Sequence, residues 1–149
     1  MSRAGVREVI RRTLEAGYGD TQFTKVYGYD VTAFGITLGG PIAAFWFSGE
    51  GEKENTLTQV TVKHDFELLC AWPADVPSEV QREAVDTAVW DACRDVQAAF
   101  MANAHLDENC EAISFGLARA DYETVGNAVY RVLRLTLSVW NLNEETISQ

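Results

Sequence analysis

The chain has few of the residues that most often take part in chemistry. Its 149 residues include two histidines and three cysteines, and the cysteines stand far apart at positions 70, 93 and 110. This odd number of thiols contains no CxxC motif and no disulfide framework, so it predicts a reducing, intracellular setting.

Long apolar runs are missing as well. No stretch reaches the ~18 apolar residues that a membrane-spanning helix needs. The N-terminus, MSRAGVREVIRRTL, contains arginines but no uninterrupted apolar segment of the kind found in secretion signals. We therefore expect neither a membrane span nor a secretion signal.

Catalytic and phosphate-binding motifs are also absent. His64 and Cys70 would lie about 20 Å apart on one strand, too far for a nucleophilic dyad. Residues 105–110, HLDENC, could supply metal ligands, but the same residue types are ordinary in loops. Neither GxGxxG nor GxxxxGK[ST] occurs. We expect no catalytic residue, no metal site and no cofactor, and hence no enzyme.

The charge balance is acidic. Twelve Lys and Arg face 22 Asp and Glu, for a formal net charge of −10. Residues 1–16 have a positive net charge of +2, from four arginines and two glutamates. The remainder of the chain therefore carries −12. Binding to nucleic-acid phosphates requires clustered Lys and Arg. Sequence-specific nucleic-acid binding is therefore not expected.

The strongest pattern in the sequence is a long alternation. Residues 58–73, TQVTVKHDFELLCAWP, place apolar and polar side chains at a period of two, which predicts a strand with one buried face. Residues 57–72 would span about 50 Å when extended, so we expect part of this strand to reach beyond the domain. The preceding polar stretch 49–56, GEGEKENT, is expected to be a projecting loop.

The remaining periodicities predict a single α+β domain over residues 1–149. Two helices are expected, over 3–16 and from a Ser78 cap with Gln81 to about residue 102. Strands are expected near 23–28 and 34–38 and over 42–48, 112–118 and 129–142, with a connection at 120–127 and a flexible tail at 143–149. The order favours a largely antiparallel or mixed sheet of about four to five strands with two helices on one face.

The aromatic residues indicate surfaces that bind other proteins. The four tryptophans, at positions 46, 72, 90 and 140, cannot all be core residues in so small a domain. Aromatic side chains are enriched where protein interfaces bury them. We therefore expect a protein that assembles with partners.

In the order of its elements, the chain resembles the tail terminator, or tail completion, proteins of long-tailed bacteriophages. The shared segments are a first helix, a strand opened by proline, a polar loop, a long alternating strand, a Ser-capped helix and a closing strand pair. Here they read VREVIRRTLEAG, PIAAFWF, GEGEKENT, TQVTVKHDFELLCAW, PSEVQREAVDTAV and, at the end of the pair, YRVLRLTLSVW. The likeness covers most of the chain and is one of pattern and order.

The resemblance implies a structural virion protein located in the tail and neck and assembled in the host cytoplasm. Six copies would form a ring that caps the tail tube and stops its polymerisation. The ring would contact the tail tube protein and the head-side connector, and DNA would pass through its centre. Six copies at −10 each give −60, so an acidic bore would repel the passing DNA.

Two sets of residues are candidates for contacts in such a ring. Arg3, Arg7 and Arg11 recur at a spacing of four and could meet an acidic neighbouring subunit, or they could form an ordinary solvated face. The second set, which could contact the tail tube or remain a solvent loop, comprises Gly49, Glu50, Gly51, Glu52, Lys53, Glu54 and Asn55.

Two other functions stay open at this point. One is a head-closure or neck connector component of the same particle, which would share the size and charge of a terminator. The other is a small α+β ligand-binding protein or thioester-type enzyme whose long helix packs in a curled sheet around a pocket. That function needs His64 or Asp65 inside the pocket.

Overall fold

Two α-helices and six β-strands make up the described part of the chain. The computed structural model describes residues 2–16, 22–34, 39–55 and 60–142, and for residues 2, 3, 51–55, 60 and 61 it describes the backbone alone. The elements are α1 (Ser2–Glu15), β1 (Lys25–Tyr27), a 3-10 turn (Val31–Phe34), β2 (Ile42–Asn55), β3 (Val60–Pro73), α2 (Glu79–Met101), β4 (Cys110–Phe115), β5 (Arg119–Val125) and β6 (Ala128–Leu142). The predicted α+β class is confirmed.

The strands form one mixed sheet in the order β1-β2-β3-β6-β4, and β5 also pairs with β6. The β1–β2 pair is parallel and every other pair is antiparallel. Strands β4 and β5 follow one another along the same side of β6, because β4 pairs with its second half and β5 with its first half. The sheet is therefore largely antiparallel. It has six strands, whereas about four to five were expected.

Both helices pack on the same face of the sheet, as predicted. The main core joins α1, α2 and the helix-facing side chains of the strands, for example Ile10, Phe100, Phe45, Leu68 and Leu135. A smaller cluster on the other face includes Val31, Ile42, Leu69 and Tyr130. The period-two alternation of β3 and β6 explains this division, since successive residues point to opposite faces.

The start of α2 follows the predicted capping box. The Ser78 hydroxyl accepts a hydrogen bond from the Gln81 amide at 3.1 Å, and the Gln81 side chain accepts one from the Ser78 amide at 3.2 Å. These bonds satisfy two amide groups that have no partner within the helix.

Residues 49–55 continue strand β2, so the loop expected over 49–56 is wrong for that part. The backbone pairs residues 53–55 with residues 60–62, after register shifts between Phe47 and Gly49 and between Glu50 and Lys53. A two-stranded ribbon needs only backbone partners, so a polar, glycine-bearing sequence can form it without the alternation that signals a half-buried strand.

Strand β5 was also missed, because most of Arg119–Val125 falls in the predicted connection at 120–127. Its residues are mostly exposed, with only Val125 fully buried, so the segment lacks an apolar alternation. The strand expected over 112–118 is β4, which starts two residues earlier and ends at Phe115.

Two expectations concern residues beyond those described. The tail at 143–149 lies outside the described residues, and so does nearly all of the extended piece at 34–38. Residue 34 itself ends the 3-10 turn. The extended piece at 23–28 is confirmed in its centre by β1.

Candidate functional site

Arg7 and Arg11, here called the arginine pair, bind within their own subunit. Their guanidinium carbons lie 5.0 and 5.3 Å from the centre of the Phe45 ring, respectively. Arg7 donates to the Gly28 carbonyl at 2.9 Å and Arg11 to the Val26 carbonyl at 3.3 Å. The spacing of four residues places both side chains on one face of α1. The pair therefore attaches α1 to the β1–β2 edge of the sheet.

The arginine pair lies so close to Gly28 that a larger residue would not fit at that position. A Cβ added at Gly28 would lie 2.7 Å from Nη2 of Arg11 and 3.0 Å from Nη2 of Arg7. Both arginines are half-buried, unlike an ordinary solvated face. The side chain of Arg3 lies outside the described part, so the predicted subunit contact of the three arginines stays a prediction.

The expected tube-contact residues lie on the end of a hairpin. We define the distal hairpin as residues 49–55 of β2 and 60–62 of β3. Strand β6 pairs with β3 only from Lys63 onward, so no third strand in the described chain accompanies the tip. Beside it, the Asn141 side chain accepts a hydrogen bond from the Val62 amide at 2.9 Å. The outer part of the hairpin, where residues 53–55 pair with residues 60–62, thus extends past the third strand, as the length of its sequence predicted.

A cavity of about 400 Å³ lies between α1 and the base of the distal hairpin. Its lining includes Phe47, Glu50 and His64 together with Arg7. His64 is buried, and its ring centroid is 6.3 Å from that of Phe47. Asp65 points to the opposite face, where it accepts a hydrogen bond from the Ser138 hydroxyl at 2.7 Å. Of the two residues that a pocket function required, only His64 therefore reaches the cavity.

Two of the three cysteines, Cys70 and Cys110, lack the properties of nucleophiles. Burial, with a smaller effect of nearby Cys93, raises the pKa of the Cys70 thiol to about 12. Burial likewise raises the pKa of Cys110 to about 11. Because the thiolate is the reactive species, neither group is activated at neutral pH. Within the described residues, no three His, Cys, Asp or Glu side chains are placed to hold a metal ion.

The face of the sheet opposite the helices bears a row of paired polar side chains. Arg134 donates to both carboxylate oxygens of Glu123, at 2.7 and 2.8 Å. Next to this pair, the Thr136 hydroxyl donates to Glu67 at 3.0 Å. The alternation in β3 and β6 predicted a polar face, but the pairing depends on strand register, which the sequence pattern does not specify.

The sheet has open edges on both sides. Strand β1 covers only Ile42–Ala44 of β2, and in the described ranges no strand pairs with the outer side of β2 beyond them. On the other side, the outer edges of β4 and β5 have no strand partner in those ranges either. A sheet with two long open edges can pair with further strands from other chains.

The chain matches no protein-family model, and no curated protein matches it. The resemblance to tail terminators therefore rests on the order of elements alone. Among the helices described, none is both long and apolar enough to cross a membrane.

Proposed function

We propose that this protein is a structural component of a phage tail, which forms a ring at the end of the tail tube and stops the tube from growing. The ring would also join the tail to the head-side connector. The observation that supports this most strongly is the pair of open edges on opposite sides of one sheet, β2 beyond Ala44 and β4 with β5.

The two open edges favour a ring because their strands run in opposite directions and can therefore pair with each other. Within the sheet, β2 and β6 run in the same direction and β4 and β5 run in the opposite one. The β2 edge of one copy would therefore pair antiparallel with the β4–β5 edge of the next. Such a head-to-tail contact joins two different surfaces and generates a closed ring when the rotation between copies closes.

The distal hairpin is the proposed contact with the tail tube. It extends past the third strand of the sheet, and its residues 49–55 include three glutamates and one lysine. A two-stranded ribbon offers backbone groups and charged side chains to a partner without disturbing the core. The acidic charge of the chain fits a bore that DNA traverses without being held.

The test is co-expression with the tail tube protein of the same virion, with tube lengths measured by electron microscopy. Wild-type protein should give tubes of uniform length with a ring at one end. A variant in which residues 54–61 are replaced by a two-residue turn, so that the turn joins the paired residues Lys53 and Val62, should fold but fail to limit tube length. Tubes of normal length with that variant would contradict the hairpin contact. Rings that bind the connector but never the tube would favour the neck-component function instead.

The cavity lined by His64 favours a second candidate function, a small ligand-binding protein or thioester-type enzyme. The cavity of about 400 Å³ combines an apolar wall with an imidazole, a carboxylate and a guanidinium. Pockets with a few convergent polar groups are the usual form of small-molecule sites. Hydrolysis of an acyl-thioester panel by the wild-type protein, lost in His64→Ala while the fold is retained, would establish this function.

A further inference from the structure

A groove of about 600 Å³ lies between α2 and strands β5 and β6; we call it the α2–β5 groove. Buried Val89 and Leu133 form part of its lining. Two exposed apolar side chains stand beside it: Trp90, 76% exposed, and Leu117, 87% exposed, which precedes the lining residue Ala118. Exposed apolar groups around a groove are typical of protein-contact surfaces, where tryptophan is enriched.

The arginines of the α2–β5 groove are paired with carboxylates of their own subunit. Its lining contains Arg94, Arg119 and Arg131 but only one carboxylate, that of Asp86. Arg131 binds this carboxylate at 2.9 Å, Arg94 donates to the Asp95 carboxylate at 3.0 Å, and Arg119 lies 3.6 Å from the Asp121 carboxylate. The charge of the groove is therefore balanced locally, and its exposed apolar side chains favour an apolar occupant.

A matching apolar group stands at the opposite edge of the same sheet. Phe47 lies on the helix-facing side of β2, where its ring packs against Phe66 at a centroid distance of 5.8 Å, and it is 51% exposed. Glu50 follows on the same strand and lines the same cavity as Phe47. An apolar ring and a carboxylate thus stand together at the open β2 edge.

Strand register places these two edges at the same level. Phe47 pairs with Phe66, and Phe66 pairs with Leu137. Leu137 in turn pairs with Phe115 at the far edge of the sheet. Phe115 is only two residues before Leu117. A sheet continued from one copy to the next at this level would bring Phe47 of the second copy close to Leu117 of the first.

From this juxtaposition we infer that the α2–β5 groove of one copy receives Phe47 of the next, between Trp90 and Leu117. This inference rests on the proposed ring and names the contact that would hold it together. The occupant is a second copy of this chain, attached head to tail.

The first test is the effect of surface charges on solution mass. Because Trp90 and Leu117 are exposed, Trp90→Asp and Leu117→Asp should leave the circular dichroism spectrum unchanged. Each should shift the mass from about six times 16.5 kDa toward 16.5 kDa at the same protein concentration. Val80→Asp is the matched control, since Val80 is as exposed as Trp90, at 76%, and does not line the groove. The control should keep the mass of the wild type.

The second test is chemical cross-linking in a Cys93→Ala background. The double variant Phe47→Cys, Leu117→Cys should give a ladder of covalent oligomers with a short bismaleimide. Neither single variant should give one, because a head-to-tail contact joins one cysteine of each kind. Cross-linking by Phe47→Cys alone would show a two-fold contact and would overturn the inference.

The two proposals fail in distinguishable ways. A wild-type ring that survives both aspartate substitutions and gives no ladder would overturn the groove contact and leave the ring intact. A wild-type protein that stays monomeric and gives no ladder would overturn the ring and the groove contact together. Loss of tube or connector binding in the aspartate variants, with the ring mass unchanged, would assign the groove to another virion protein and would also overturn the inference.

Discussion

Arg134 of β6 and Glu123 of β5 form a bidentate ion pair, with their atoms 2.7 and 2.8 Å apart. The pair attaches the edge strand β5 to the centre of the sheet. Its hydrogen bonds, which outweigh the opposing effect of burial, hold the pKa of Glu123 below its usual range. The position of β5, and with it one side of the proposed subunit contact, depends in part on this pair.

Glu123→Gln should lower the free energy of unfolding by about 1 kcal/mol at pH 7, because a partly exposed ion pair contributes modestly even when bidentate. The effect should depend on pH. A carboxylate whose folded pKa is depressed stabilises the fold above its unfolded pKa of about 4.3 and loses that contribution as pH falls through the folded value. Urea unfolding of wild type and variant should therefore differ at pH 7 and converge in strong acid.

Asp121→Asn is the control for this prediction, since Asp121 faces Arg119 at 3.6 Å with both side chains more than half exposed. It should change the unfolding free energy less than Glu123→Gln does. If the two substitutions lowered the unfolding free energy equally, the bidentate geometry of the Arg134–Glu123 pair would add no stability.

The arginine pair should stabilise the subunit. Arg7→Gln and Arg11→Gln each remove a hydrogen bond to a backbone carbonyl and a contact with Phe45, so each should cost roughly 1–2 kcal/mol of unfolding free energy. Thermal or urea unfolding measures this directly. Arg12→Gln is the matched control, because Arg12 pairs with the exposed Asp107 and should have a smaller effect.

The predicted contact of these arginines with a neighbouring subunit has a different consequence from their contacts within the subunit. A contact between subunits alone would leave the unfolding of an isolated subunit unchanged while reducing assembly. Full stability of both glutamine variants would contradict the intramolecular role of the pair.

The Ser78 cap should matter for α2, which packs on β6 and forms one wall of the α2–β5 groove. Ser78→Ala removes the acceptor of the Gln81 amide and should cost about 1 kcal/mol of unfolding free energy. Ser78→Asp retains an acceptor and should restore most of that loss. An alanine variant as stable as the wild type would contradict the capping role.

The three cysteines should differ in reactivity. Cys70 and Cys110 are buried and have raised pKa values, whereas Cys93 is half-buried on α2. Native protein treated with a maleimide at neutral pH should be modified first at Cys93, and the other two thiols should react only after unfolding. Mass spectrometry of the labelled peptides identifies the sites, and rapid labelling of Cys70 in the folded protein would disprove its burial.

The sequence predicted those elements whose side chains alternate or recur around a buried face. Strand β3, strand β6 and α2 all meet this condition, and all were expected near their observed positions. Strand β5 and the end of β2 did not, because a strand that is held by backbone pairing needs no apolar pattern. In β5 most side chains are also exposed.

The candidate sites were predictable only in part. The spacing of Arg7 and Arg11 placed them on one helix face, but their partners are carbonyls of a segment with weak strand signals. The cavity beside His64 and the α2–β5 groove depend on strand register and helix placement, and neither follows from the periodicity of a single element. The exposed position of Trp90 agrees with the expectation that the four tryptophans are not all core residues.

We propose that copies of this chain assemble head to tail into a ring. Light scattering coupled to gel filtration, across protein concentration and salt, measures this most directly. A head-to-tail ring should give a species near six times 16.5 kDa that persists on dilution. A monomer of 16.5 kDa at every concentration and salt would contradict it.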